Sequence, residues 1–446
     1  MGRDERETVG HGQNRDHGRA PGDHAGARPR PAPHEEPATP ATQESGPLPS
    51  FIPALTGVRA LAALWVLAFH FRPELVSSFP FLGRLAPLFD AGHLGVDLFF
   101  VLSGFIMTYT HLHRMTEPWT PRKALGFLWL RLSRIWPVMF LVLLGWALYR
   151  AYSLQANNDA SIQLAASPAR FLEHVLLIQG WFIEPDQWNP VDWSLSAEWL
   201  AYLVFSVAIA VLAKMLRTVR VRSLVLCALV SVFPIVAIGV TMEDGSDLLL
   251  FNNALVPGMI PLRVLTEFFG GAFTALIVMR YGRAARLPWF LRPTVVFVVI
   301  VAVIFLVQRY DPFPRYNMGL DWRINGHLMW GSAETVVVVP LFLLLIGSLA
   351  ISNREPMAWL LRTKLLIWGG KISFALYLIH WLCIDVMRHV IQTKLHLTDM
   401  PTSWEYRLIV LGFLALTVVI AHILHRFFEE PTRRAMRRML PESMRA

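Results

Sequence analysis

The chain has 446 residues and a formal net charge of +9, and 54% of its residues are hydrophobic whereas 16% are charged. Soluble domains carry about 25% charged residues, so this composition excludes an ordinary soluble protein and indicates a polytopic protein of a lipid bilayer. The positive charge lies mostly in short segments between apolar runs, which favours membrane topology over nucleic-acid binding as its cause. We therefore expect no nucleic-acid partner.

Residues 1–50 differ from the rest of the chain in composition. They are rich in Pro, Gly, Arg, Asp, Glu and His and contain few large apolar residues. Such a segment buries too little surface to offset its ordering entropy, which predicts a disordered cytoplasmic tail. No apolar run follows Met1, so we expect no cleavable signal peptide. The tail histidines are irregularly spaced, and Cys227 and Cys383 lie in apolar runs, so the sequence predicts neither a metal site nor a disulfide.

Beyond residue 50 the chain alternates long apolar runs with short polar segments. A helix needs about 20 apolar residues to cross a bilayer. The pattern predicts an all-α membrane domain over 51–435, with about ten transmembrane helices around an internal polar cavity, followed by a basic end over 436–446. The ten predicted spans are 54–71, 92–111, 127–148, 193–212, 223–241, 260–279, 293–308, 328–350, 368–387 and 406–427.

Basic residues are distributed unevenly among the segments between the spans. The segments after the second, fourth, sixth and eighth spans, together with the C-terminal end, hold more than twice as many Lys and Arg residues as the opposite segments. Cytoplasmic loops are enriched in these residues, so the pattern predicts that both termini lie in the cytoplasm. The predominance of Arg over Lys favours a bacterial source, and we expect a multi-pass protein of the bacterial inner or plasma membrane.

The first span contains two ionisable side chains, Arg59 and His70, eleven residues apart. Eleven residues of helix make about three turns and rise roughly 16 Å, so both side chains project from nearly the same face at different depths. Ionisable groups in a membrane are costly and are typical of functional sites. The alternative interpretation is that Arg59 snorkels to the cytoplasmic headgroups and His70 to the outer interface.

Further ionisable residues in the other spans predict a polar cavity within the bundle, because charge that faces lipid is costly. Arg263 and Glu267 have the i,i+4 spacing of a structural ion pair, which is the alternative interpretation for them. Arg131 and Arg134 lie one turn apart at the cytoplasmic edge and suit phosphate oxygens, with a positive-inside anchor as the alternative. The other candidates are Asp97, Ser103, Glu198, Glu334 and His380.

These motifs resemble those of acyltransferase family 3, a family of membrane-integral acyltransferases that modify sugars and related hydroxyl compounds. The resemblance covers roughly residues 50–435. The matching residues are Arg59 with His70, Gly95 to Phe105, Arg131 with Arg134, Trp193 to Glu198, Ser373 to His380, and Glu430 with Pro431.

The resemblance implies transfer of an acyl group, acetyl or another short chain, from acyl-coenzyme A to a hydroxyl group. The acceptor would be a sugar, a cell-surface glycan or a glycosylated natural product such as a macrolide. The phosphates of coenzyme A would lie at Arg131 and Arg134, with Arg59 along the route of the pantetheine arm. Acyl-CoA is then a substrate, and no bound cofactor is expected.

At the outer end, the resemblance implies that His70 acts as general base or takes the acyl group covalently. A carboxylate would orient its imidazole, with Glu198 as the first candidate and Asp97 as the second. Ser103 is an alternative nucleophile, although close packing of small residues around Gly104 explains that position better.

A transporter or exporter of an anionic small molecule is the alternative from another class, because it too requires buried charge. The sequence shows no paired interrupted helices in corresponding halves, the pattern typical of many secondary transporters. A non-catalytic membrane scaffold would not need Arg59 and His70 on one helix face.

Overall fold

The computed structural model describes residues 51–157, 168–181, 188–241, 259–281, 287–310, 333–352, 354–397, 401–441 and 444. All of them belong to the second of two units into which the chain divides, Met1–Glu44 and Ser45–Ala446. Within these ranges every regular element is a helix, as the apolar composition predicts. The predicted tail over 1–50 lies outside them, so its state and the domain boundaries stay predictions.

Ten long helices coincide with the ten predicted spans. They are α1 Pro53–His70, α2 Leu94–Thr116, α3 Pro121–Asn157, α4 Trp193–Thr218, α5 Val221–Thr241, α6 Met259–Tyr281, α7 Pro293–Tyr310, α8 Ala333–Ile351, α9 Lys364–His389 and α10 Trp404–Leu424.

Seven of these helices, α1 to α4, α6, α9 and α10, lie in stretches that are long and apolar enough to cross a membrane. The apolar parts of α5, α7 and α8 are shorter within the described residues. The chain is therefore a helical, multi-pass membrane protein, whereas a total of ten crossings and the cytoplasmic placement of both termini stay predictions.

Short helices occupy several connections. Those that matter for the site join α1 to α2, precede α4, precede α9 and follow α10. They are Arg72–Ser78, Pro80–Leu85, Ala86–Asp90, Ala91–His93, Pro168–Val175, Pro356–Leu361, the π-helical turn His425–Glu429 and Glu430–Arg438.

Helix α1 packs against both α2 and α9, which places the two side chains of the predicted site between three helices. Along α9 the approach is close, because a Cβ atom at Gly370 would overlap the backbone carbonyl of Thr56. The two helices run in the same direction, since their later residues His70 and His380 also meet. Residues further along α1 therefore lie beside residues further along α9.

Helices α2 and α6 approach each other through glycine as well. A Cβ atom at Gly104 would overlap the backbone carbonyl of Phe268, and one at Gly271 would overlap that of Val101. Small residues allow such backbone contact between membrane helices, where dispersion and weak polar contacts replace the hydrophobic effect. The packing interpretation of this stretch of sequence therefore fits Gly104.

We expect Gly104→Ala to destabilise the bundle, because the added methyl has no space unless α2 and α6 separate. Overpacking of this kind costs about 1–3 kcal/mol. Gly412→Ala is the matched control, since a Cβ there meets nothing within 4 Å, and replacing an unrestrained helical glycine is expected to be neutral or stabilising by up to about 1 kcal/mol. Thermal unfolding of both variants in one detergent measures the difference, and equal midpoints would contradict the proposed contact.

Candidate active site

A cavity of about 550 Å³ opens where α1 and α9 begin and α10 ends. We call it the basic mouth, because six Arg and Lys side chains and only two carboxylates line it. These residues are Arg59, Arg134, Lys371, Arg426, Arg433, Arg434, Glu429 and Glu430.

Both carboxylates of the basic mouth already have partners. Glu430 accepts hydrogen bonds from Arg433 at 2.7 Å and Arg434 at 2.9 Å, and Glu429 lies 2.9 Å from His425 Nδ1. Four cations remain, and within the described ranges none of them has an ion-pair partner. The cavity therefore presents an excess of positive charge, an arrangement that suits an anion. The four are Arg59, Arg134, Lys371 and Arg426.

A narrower cavity of about 90 Å³, which we call the inner slot, lies deeper in the bundle. Arg59 and Arg134 line both cavities and so mark the passage between them. Residues of α2 from Val96 to Met107 line the inner slot, a rise of roughly 16 Å along that helix. Tyr377 of α9 also lines it. The inner slot is therefore long and slim, and it runs along the bundle from the basic mouth.

A hydrogen-bonded group of side chains faces the inner slot. Glu198 Oε1 accepts hydrogen bonds from Ser103 Oγ at 2.7 Å and from the Tyr202 hydroxyl at 2.6 Å, and the two hydroxyls are 3.1 Å apart. Glu198 is thereby held by α2 and by the next turn of its own helix.

This placement differs from the prediction that Glu198 orients His70. Helix α4 begins at Trp193, and Ser194 near its start lies 2.8 Å from the Tyr377 hydroxyl. Glu198 lies one turn further along α4, so its carboxylate is nearer the level of Arg59 than that of His70.

The partner of His70 is another histidine. His70 Nδ1 lies 2.8 Å from His380 Nε2, and the rings stack with centroids 4.9 Å apart. His380 Nδ1 lies 2.6 Å from the backbone carbonyl oxygen of Tyr377, and the Trp381 ring meets His70 edge-on with centroids 4.5 Å apart. We call His70 and His380 the histidine pair. Neither imidazole lines the two cavities, and the pair lies just beyond Tyr377, at the outer end of the inner slot.

Asp97, the second predicted partner of His70, instead forms a buried charge cluster with two residues of α6. Arg263 Nη2 and Nε donate to Asp97 Oδ1 at 2.8 and 3.1 Å, and Arg263 Nε is 3.7 Å from Glu267 Oε1. The guanidinium lies over the Trp193 ring at 5.2 Å. Arg263 therefore pairs more closely across α2 and α6 than along α6, so the i,i+4 interpretation identifies only the longer of these two carboxylate contacts.

The two predicted phosphate-binding arginines diverge. Arg134 lines the basic mouth, whereas Arg131 donates to Met107 Sδ at 3.4 Å and lies over the Phe127 ring at 5.7 Å. Three helical residues turn through about 300°, which leaves some 60° between the two side chains. Glu334 lies at the start of α8, outside the residues whose side chains are described.

Several site residues were missed by the sequence reasoning. Tyr202 follows Glu198 at i+4, a spacing that places both side chains on one face and so offered a signal. Lys371 and Arg426 were visible only as loop or helix-end charges, and their convergence depends on how α9 and α10 pack. Within the described ranges no group of three or more His, Cys, Asp or Glu side chains lies close enough to hold a metal ion.

Comparison with known proteins finds similarity over most of the chain. Residues 52–426 match the family model described as an acyltransferase domain. Acyltransferase MdmB of Streptomyces mycarofaciens is 25% identical over 409 residues, which cover 87% of this chain and 94% of the relative. O-acetyltransferase OatA of Staphylococcus aureus strain NCTC 8325 / PS 47 is 23% identical over 400 residues, 86% of this chain and 58% of the relative. The chain thus spans little more than half the length of OatA.

No solved structure matches the chain. The family model nevertheless covers most of it, and the resemblance predicted from the motifs is confirmed. The chain belongs to acyltransferase family 3 and is a membrane-embedded acyltransferase.

Proposed function

We propose that the protein is an acyl-CoA-dependent O-acyltransferase of the bacterial inner or plasma membrane. It acylates a hydroxyl group of a sugar, a cell-surface glycan or a glycosylated natural product such as a macrolide. One observation carries the proposal: the basic mouth, the inner slot and the histidine pair follow one another along α1, from Arg59 to His70.

The basic mouth suits the phosphate-bearing head of coenzyme A. Guanidinium groups bind phosphate oxygens through paired, charge-assisted hydrogen bonds, and in the described part of the chain neither Arg59 nor Arg134 forms a close ion pair with a carboxylate. Trp368 and Tyr109 also line the cavity and offer aromatic faces to an adenine ring. A volume of about 550 Å³ lies in the range of ordinary ligand pockets.

The inner slot suits the slim pantetheine arm. Its hydroxyl and carboxylate groups, on Ser103, Glu198 and Tyr202, offer hydrogen bonds to the amide groups of the arm. An arm that enters between Arg59 and Arg134 and follows the inner slot brings its thioester towards Tyr377 and the histidine pair. A short acyl group fits this narrow passage, and the name of the relative OatA supports acetyl.

At the thioester, His70 would take the proton of the acceptor hydroxyl as its oxygen attacks the carbonyl carbon. The C–S bond breaks, the ester C–O bond forms, and the proton passes to the leaving thiolate, so no net proton is consumed. General-base catalysis of this kind contributes about 10²–10⁴-fold in rate. A transient acyl group on the imidazole is the alternative route through the same residue.

We expect coenzyme A to raise the midpoint of thermal unfolding of the purified protein in detergent, because a ligand that binds only the folded state stabilises it by about 2.7 kcal/mol at 100 times its Kd. Acetyl-CoA with a panel of glycosides should then release free thiol in an acceptor-dependent manner, with an acylated product detected by mass spectrometry. A transporter of anionic molecules would show neither thermal stabilisation by coenzyme A nor thiol release. That result would contradict the proposal.

The two predicted arginines give a sharper test of the basic mouth. We expect Arg134→Ala to raise the KM for acyl-CoA by roughly 10- to 100-fold, because a hydrogen bond to a charged group contributes about 1.5–3 kcal/mol. Arg131→Ala is the matched control one turn away, and its KM should change far less, because Arg131 packs against Met107 and Phe127. Steady-state kinetics with a fixed acceptor measures both. A larger effect of Arg131 would contradict this placement of the phosphates.

A further inference from the structure

The hydrogen bonds of the histidine pair fix the tautomers of both rings. A backbone carbonyl only accepts, so His380 Nδ1, 2.6 Å from the Tyr377 oxygen, carries a hydrogen and donates it. A neutral His380 then has its lone pair on Nε2. His70 Nδ1, 2.8 Å from that atom, must be the donor of the bond between the rings.

It follows that neutral His70 carries its hydrogen on Nδ1 and presents an unprotonated Nε2. This is the atom needed to take a proton from a hydroxyl group. We propose that His380 is the positioning residue of the acyl transfer, holding His70 in this tautomer and ring orientation, in the place where serine hydrolases use a carboxylate. The inference rests on the proposed function, because it concerns how His70 acts in that reaction.

The surroundings of His380 suit a positioning role. Its side chain is 1% exposed, and its Nδ1 partner is a carbonyl three residues earlier in α9, held by the helix itself. Close packing of Gly370 on Thr56 fixes the register of α9 against α1, and so the level at which the two rings meet. His380 is buried whereas His70 is partly exposed, so His70 is the member of the pair that a substrate can reach.

The histidine pair can also accept the proton of the acceptor hydroxyl without help from a carboxylate. When His70 Nε2 takes the acceptor proton, its Nδ1 hydrogen can shift towards His380 Nε2, while His380 Nδ1 keeps its hydrogen on the Tyr377 carbonyl. The positive charge is then shared by two rings, and reversal of the shift returns the proton through Nε2 to the leaving thiolate. The other ionisable groups around His70 are His93 and Arg388, and Glu74 holds Arg388 at 2.6 Å.

Two substitutions at position 380 separate positioning from mere packing. In His380→Gln the side-chain amide reaches the place of Nε2, and its oxygen can accept the bond from His70 Nδ1. In His380→Asn the shorter amide reaches only the place of Nδ1 and leaves His70 without a partner. We expect His380→Gln to keep kcat within about 10-fold of wild type and His380→Asn to lose roughly 10²-fold, within the range for the base itself.

The KM values for acyl-CoA and acceptor should be unchanged in both variants, as should thermal stabilisation by coenzyme A, because the basic mouth is intact. His380→Leu is the second variant, in case His380→Asn folds poorly. Leucine fills the site with an apolar side chain of good helix propensity but cannot accept the bond from His70, so it should show a similar loss of kcat. His111→Asn is the control for removing a buried imidazole elsewhere, since His111 packs on Phe127 on another helix and lines neither cavity. Its kcat should stay near wild type.

Wild-type kcat in both His380→Asn and His380→Leu would overturn the inference, and so would a loss in His380→Gln as large as that in His380→Asn. In either case the proposed function stands as long as the wild-type protein transfers acyl groups from acyl-CoA. Failure of the wild-type protein to do so would instead reject the proposed function.

Discussion

Replacement of His70 by alanine is expected to lower acceptor-dependent acyl transfer by about 10²–10⁴-fold, the usual contribution of a general base. The loss should appear in kcat, because His70 lies beyond the inner slot and away from the basic mouth that would hold the donor. Stabilisation by coenzyme A should therefore persist in His70→Ala. Product formation measured by mass spectrometry, with thermal unfolding in the same detergent, separates these two effects.

His113→Ala is the control for this experiment. His113 lies at the end of α2 with its side chain 63% exposed, next to Glu117 rather than any cavity. Its removal should change neither kcat nor coenzyme A binding. Full transfer activity in His70→Ala would contradict both routes proposed for this residue, the base and the acyl-imidazole alike.

The positions of Arg59 and His70 also show what the spacing of residues within one helix can predict. The eleven-residue separation of Arg59 and His70 predicts side chains on one face of one helix, and the structure places Arg59 at the basic mouth and His70 at the other end of α1. The periodicity of one helix was sufficient to predict that both side chains lie on one face at different levels. The partner of His70 was not predictable in this way, because His380 is 310 residues away and reaches it only through the packing of α1 on α9.

Depth along the membrane was a second limit of the sequence. A carboxylate at a similar predicted depth was expected beside His70, and Glu198 instead bonds Ser103 and Tyr202 one turn further inside. A span boundary read from composition is uncertain by about a turn, and one turn is enough to exchange one partner for another. The ten helices themselves were predicted well, because long apolar runs depend only on composition.

Rotation about the helix axis was the third limit. Arg131 and Arg134 are spaced as a pair, yet only Arg134 faces the basic mouth. The spacing alone gives the angle between two side chains but not the direction in which the helix turns them. That direction depends on how the helix packs, here with Arg131 directed towards Met107 of α2 and over Phe127, one turn earlier on α3 itself.

Replacement of Arg263 by methionine is expected to cost about 3–5 kcal/mol of unfolding free energy, the usual effect of removing one partner from a buried ion pair. Arg263 is 4% exposed, and the carboxylates of Asp97 and Glu267 beside it are fully buried. Without the guanidinium, these two buried carboxyl groups would remain together in the bundle and lose its hydrogen bonds and positive charge. Arg292→Met is the control, because its contact with Glu355 is long, at 3.7 Å, and half exposed, and such pairs contribute about 0–1 kcal/mol.

A combined substitution shows whether charge or shape causes the loss. In the triple variant Arg263→Met, Asp97→Leu, Glu267→Met the whole cluster becomes apolar at similar volume, and much of the stability should return, since such replacements are often neutral or stabilising. Thermal unfolding of single and triple variants in one detergent measures this. Failure of the triple variant to recover would mean that the geometry of the cluster, rather than its charge balance, holds α2 against α6.

The activity of Asp97→Asn tests the catalytic prediction for Asp97. If this carboxylate only joins helices, kcat should stay near wild type in the folded protein. If it orients His70, kcat should fall as it does in His70→Ala.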